Sequence, residues 1–165
     1  MRASIDKINQ LLNSKKTITI TTHTNPDGDA IGSSFALYHY LLKLNHNVKV
    51  ITPNKHPDFL DWVPGIDNLE IFDDNPEKCN KILDTSDLVF TLDYNDLKRA
   101  SKLGLALSQF KGITIMIKDL AIYLTWRWEC WKQRKTLDIV RKQQDLLRRA
   151  RKETNNGRQR SGRKP

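Results

Sequence analysis

The hydrophobic positions change period repeatedly over the first 117 residues. Ile5, Ile8, Leu11 and Leu12 fall at helical spacing, and TITITT (17–22) is an alternating β-branched run that reads as a strand. In AIGSSFALYHYLLKL (30–44), Ile31, Phe35, Leu37, Leu41, Leu42 and Leu44 recur as on a helix packed against a sheet. NVKVITP (47–53) reads as a second strand stopped by Pro53, and LEIF (69–72) as a short third. PEKCNKILD (76–84) reads as a helix with Pro76 in its first turn, where a missing N–H costs nothing. DLVFTLD (87–93), a helix from about Leu97 to Ser108 with Asp96 as its N-cap, and GITIMI (112–117) continue the alternation. Strands alternating with helices predict an α/β fold: a mainly parallel sheet with helices on both faces, the 17–22 strand central.

Charge divides the chain. The formal charge is +9, yet residues 1–117 carry 13 Lys/Arg against 14 Asp/Glu, while residues 118–165 carry 15 against 5. The basicity therefore belongs to the last 48 residues, where Trp126, Trp128 and Trp131 also fall. A boundary near residue 118 follows, with the α/β part at 1–117 and a basic tail at 118–165. In the tail, TLDIVRKQQDLLRRARK predicts one basic helix over about 132–152, with disorder from about Thr154 onward. Cys79 and Cys130 form no metal or redox spacing, MRASIDKINQLL lacks the apolar core of a signal peptide, and no run approaches membrane-spanning length. Cytoplasmic location without membrane association is the expectation.

The chemistry concentrates at strand ends. In open α/β sheets ligands sit beyond the carboxyl ends of the strands. His23, Asp27 and Asp29 follow the 17–22 strand, and Asp93 ends LVFTLD. Two strand ends presenting acids and an imidazole to one crevice suit a hard divalent cation, Mn²⁺ or Mg²⁺, better than a thiolate-seeking metal. Gly28 allows a tight turn between the two acids. Gly32, Ser33 and Ser34, placed in the first turn of the next helix, would let a phosphate approach backbone N–H groups. Each residue has a plainer role: Asp27 or Asp29 as a helix cap, His23 as a hydrogen-bonded residue, Asp93 as a strand terminus. An EF-hand starting at Asp27 fails, because its twelfth position is Tyr38 and not Glu. There is no phosphate-binding Gly-Lys-Ser/Thr loop.

The stretches THTNPDGDAIGSSFALYHYLLKLNHNVKV, PDFLDWVPGI and LVFTLDYNDLKR, in this order, resemble the DHH (Asp-His-His) phosphoesterases, in particular their bifunctional oligoribonuclease and PAP phosphatase branch. The resemblance spans residues 1–117. It implies a two-Mn²⁺ hydrolase that cleaves short oligonucleotides or removes phosphate from 3′-phosphoadenosine 5′-phosphate. It also implies that His23 and Asp27 ligate one ion, Asp29 the other, and that Asp93 bridges them.

The resemblance ends abruptly. Where the naming Asp-His-His should follow ITIMI, the chain reads Ile117-Lys118-Asp119-Leu120, and all four histidines lie before residue 57. The later metal-binding Asp and the Gly-Gly-rich second domain of the family have no counterpart either. At most one well-held ion and impaired activity are therefore expected. Two other readings stand beside it. One is a non-catalytic module that holds nucleic acid nonspecifically through the basic tail. The other is a truncated or frameshifted product without function of its own.

Overall fold

The computed structural model describes residues 2–117, with side chains from residue 6 onward. The boundary expected at 118, the helix over 132–152 and the disorder after it lie outside the described residues.

Five strands form one sheet: β1 (Thr17–Thr21), β2 (Asn47–Thr52), β3 (Leu69–Ile71), β4 (Leu88–Leu92) and β5 (Ile113–Ile117). Their order is β3-β2-β1-β4-β5, every pair is parallel, and β1 is central. Four helices connect or precede them: α1 (Arg2–Leu11), α2 (Gly28–Lys43), α3 (Pro76–Asp84) and α4 (Ser101–Gln109). The chain runs from β1 outward to β2 and β3, then crosses back to β4 and β5 on the other side. The order reverses between β1 and β4, the switch point at whose carboxyl end open α/β sheets form their ligand crevice.

The alternation of β1 is not the signature of a half-exposed strand. Thr19 and Thr21 are as fully buried as Ile18 and Ile20. Register puts Thr21 beside Ile51 and Thr19 beside Val89, and Ile51 and Val89 pack with Cys79 and Leu83 of α3 and Leu103 and Leu107 of α4. Burying a hydroxyl requires a partner. Thr19 Oγ1 bonds Ser86 Oγ at 2.7 Å, and Thr21 Oγ1 bonds Tyr94 Oη at 2.8 Å. The opposite face presents Ile18, Ile20, Val50, Leu88 and Phe90, all buried, with α2 packed on the sheet through β2, β1 and β4.

The helix expected from Leu97 is broken: a 3-10 turn spans Leu97–Ala100, capped by Asp96, whose side chain accepts from Lys98 N, and α4 proper starts at Ser101. Gly104 makes that junction possible, since a Cβ there would lie 1.9 Å from the Leu97 carbonyl oxygen. At the far edge, β5 is only partly covered, with Ile113 48% and Met116 43% exposed. The apolar run ITIMI thus leaves two large side chains facing solvent.

Candidate metal centre

The site is assembled from the loops after β1 and β4, the two strands flanking the crevice. Residues 22–27 leave β1 and enter α2, and Asp93 leaves β4. Asp93 N donates to Ile117 O at 2.9 Å, and Thr24 N donates to Arg99 O at 2.8 Å. These two bonds tie the β1 and β4 loops and the end of β5 into one rim. The backbone is held in the left-handed region at both Asp93 (φ 65°) and Asn25 (φ 55°). Such conformations are uncommon outside glycine, least costly for Asn and Asp, and cluster where side chains must be aimed.

His23, Asp27 and Asp93 converge, each offering one ligand atom within 4.8 Å of the others. His23 is buried, and its Nδ1 donates to the Thr24 carbonyl at 2.8 Å. That bond fixes the proton on Nδ1, so in the neutral imidazole Nε2 carries a lone pair. Nε2 lies 3.4 Å from Asp93 Oδ2. Two electron-pair donors aimed at each other are stabilised by a cation shared between them, and a hydrogen-bonded second nitrogen is the usual support of a metal-ligating His. The donor set fits a divalent cation.

Asp27 also caps a helix. Its Oδ1 accepts from Asp29 N at 3.1 Å and Ala30 N at 3.0 Å, capping α2. The cap fixes the carboxylate and leaves Oδ2 for a ligand. Cap and metal ligand, alternatives by sequence, are compatible in one side chain.

The other sequence candidates are placed differently. Asp29 is exposed in the first turn of α2, outside the group formed by the three converging residues. Gly32, Ser33 and Ser34 require a correction. Because Asp27 caps the helix, α2 begins at Gly28, two residues earlier than the hydrophobic period suggested, and these three residues fall in its second turn. Both serine hydroxyls are buried and bond back to Ala30 O, at 3.1 and 2.7 Å. In the second turn each backbone N–H is engaged by the carbonyl four residues back, so these three residues do not lie in the first turn, where free N–H groups were expected of them. Arg99 was missed by sequence reasoning. Its guanidinium donates to the Asp93 carbonyl at 3.3 Å and sets a cation beside that residue.

The DHH family N-terminal domain matches residues 17–120. The chain belongs to the DHH family. All three converging residues, and Arg99, lie inside the matched segment. A solved neighbour, an exopolyphosphatase-related protein from Bacteroides fragilis, superposes with a TM-score of 0.69 at 38% identity. The match covers 71% of this chain and 34% of that one, so this DHH chain spans about a third of the length of its solved relative. No curated protein matches the chain. Among the described residues, no helix is long and apolar enough to cross a membrane.

Proposed function

We propose that this DHH domain is the metal-binding half of a phosphoesterase that acts on short oligonucleotides or 3′-phosphoadenosine 5′-phosphate. The observation that carries the reading is the pair of facing acceptors, His23 Nε2 and Asp93 Oδ2, with the capped Asp27 completing the group. The description of the solved relative as exopolyphosphatase-related favours phosphate chemistry in general. A divalent cation, Mn²⁺ or Mg²⁺, would polarise the phosphoryl group and acidify water when bound. His23, Asp27 and Asp93 would hold it, with Asp29 available to a second, weaker ion. Arg99, bonded to the Asp93 carbonyl, would offset charge on the phosphate. With the Asp-His-His missing from the sequence after Ile117, one ion is well held and turnover falls far below that of a complete relative.

The test is hydrolysis of a labelled diribonucleotide and of 3′-phosphoadenosine 5′-phosphate with added Mn²⁺. Slow, chelator-sensitive turnover lost in Asp93→Ala is expected. Turnover unaffected by chelator and by Asp93→Ala would overturn the reading. The charge of residues 118–165 favours one addition: nonspecific binding of nucleic acid through the tail.

A further inference from the structure

The segment between β2 and β3 carries two short 3-10 turns that leave no hydrophobic period in the sequence. Here Leu60 N donates to Pro57 O, Asp61 N to Asp58 O and Val63 N to Leu60 O, each three residues back. In such a turn, side chains three apart eclipse and share a face. Leu60 and Val63 form the inward face and are buried. Phe59 and Trp62 form the outward face, 71% and 75% exposed. Among the described residues, these are the only exposed Phe, Tyr or Trp rings.

The segment is anchored beside the metal centre. Asn54 Oδ1 accepts from Asn25 N at 2.7 Å and Asn54 Nδ2 donates to Asn25 Oδ1 at 2.9 Å, joining it to the metal-binding loop. Leu60 Cδ2 lies 4.0 Å from where a Cβ on Gly28 would stand, and Gly28 directly follows Asp27. His56 Nε2 bonds Asp61 Oδ1 at 2.9 Å, and Pro64 O accepts from His39 Nε2 of α2 at 2.8 Å. A loop fastened at these points presents its rings in one orientation, and pre-ordered aromatic faces lose little entropy on stacking.

We propose that Phe59 and Trp62 form a stacking platform for a nucleobase of the phosphoester held at His23, Asp27 and Asp93. The inference rests on the phosphoesterase reading above and deepens it, since a platform of this kind distinguishes a nucleotide from base-free phosphate. Every base has a π-face, so the platform selects for a base without selecting which one.

The test compares 5′-AMP with ribose 5-phosphate, titrated with Mn²⁺ present into the full chain and into the Phe59→Ala/Trp62→Ala variant. Both side chains are exposed, so the double variant keeps its fold. The native chain is expected to bind 5′-AMP more tightly than ribose 5-phosphate. In the variant the 5′-AMP affinity falls by about tenfold or more, within the range of base–aromatic stacking, and the ribose 5-phosphate affinity stays unchanged. Equal affinity of the native chain for both probes overturns the platform while leaving the metal reading intact. So does a double variant whose only change is a loss of self-association, which would make the rings a contact between copies of the chain. Loss of Mn²⁺-dependent binding of ribose 5-phosphate in Asp93→Asn, but not in the double variant, separates the two sites. If the native chain binds neither probe, both readings fail.

Discussion

Asp93 shows how much a single residue depends on its neighbours. Its left-handed backbone is fixed on one side by the bond to Ile117 O and followed on the other by Tyr94, a fully buried ring. Burial pushes the Tyr94 hydroxyl up to about 12, against the opposing bond to Thr21, so it stays protonated throughout the physiological range. Tyr94→Phe keeps the packing and removes that bond, at an expected cost of about 1 kcal/mol in urea unfolding. The buried Thr21 hydroxyl retains Phe90 O at 3.3 Å, which limits the loss. Cys79 is a second case. Buried against α4, its thiol is pushed up to about 11, by desolvation first and by the Glu70 carboxylate second. Iodoacetamide at pH 8 should leave Cys79 unmodified in the native protein and label it in urea, as read by peptide mass spectrometry.

At the scale of elements, α2 poses the sharpest question, because its cap is also one of the three converging side chains. Asn caps a helix as well as Asp does, whereas Ala does not. Asp27→Asn should therefore leave the unfolding free energy within about 0.5 kcal/mol of the native value, and Asp27→Ala should lower it by about 1 kcal/mol. Both should weaken Mn²⁺ binding. If the two substitutions destabilise alike, Asp27 is not acting as the cap. Gly104→Ala should be more damaging, by about 3 kcal/mol, since its methyl group meets backbone that cannot yield.

These same elements mark what the sequence made legible. The five strands, α3 and the meeting of His23, Asp27 and Asp93 could be read, because periodicity and strand-end placement are local signals, whereas Asp29, expected with them, lies outside the group. The start of α2 could not, because the apolar stripe begins at Ala30 while the cap sits three residues earlier. The segment holding Phe59 and Trp62 carries no periodic signal, since a 3-10 turn of three residues has no repeat to detect. Arg99 was hidden for a different reason. Its place at the site depends on a backbone bond to Thr24, 75 residues away, which no local pattern encodes.

Across the molecule, pH dependence and the candidate metal centre sit at opposite ends of the sheet. His46, just before β2, is buried, and its Nδ1 accepts from Lys16 N at 3.2 Å. Burial, and after it the Lys16 charge, lower its pKa below the ordinary 6.5. The folded state therefore binds fewer protons there than the unfolded chain. The contribution of His46 is fully present above pH 6.5 and is lost as pH falls through the lower folded value. Urea unfolding at pH 7.5 and at pH 5 should show reduced stability at the lower pH, and the difference should shrink in His46→Gln. At the other end, the account stands on a cation shared by two strand ends. Isothermal titration of the full chain with Mn²⁺ addresses this directly. The account predicts one well-held ion per chain, with affinity reduced by about tenfold or more in each of His23→Ala, Asp27→Asn and Asp93→Asn, since each removes a ligand. Mn²⁺ affinity unchanged by all three substitutions would contradict it.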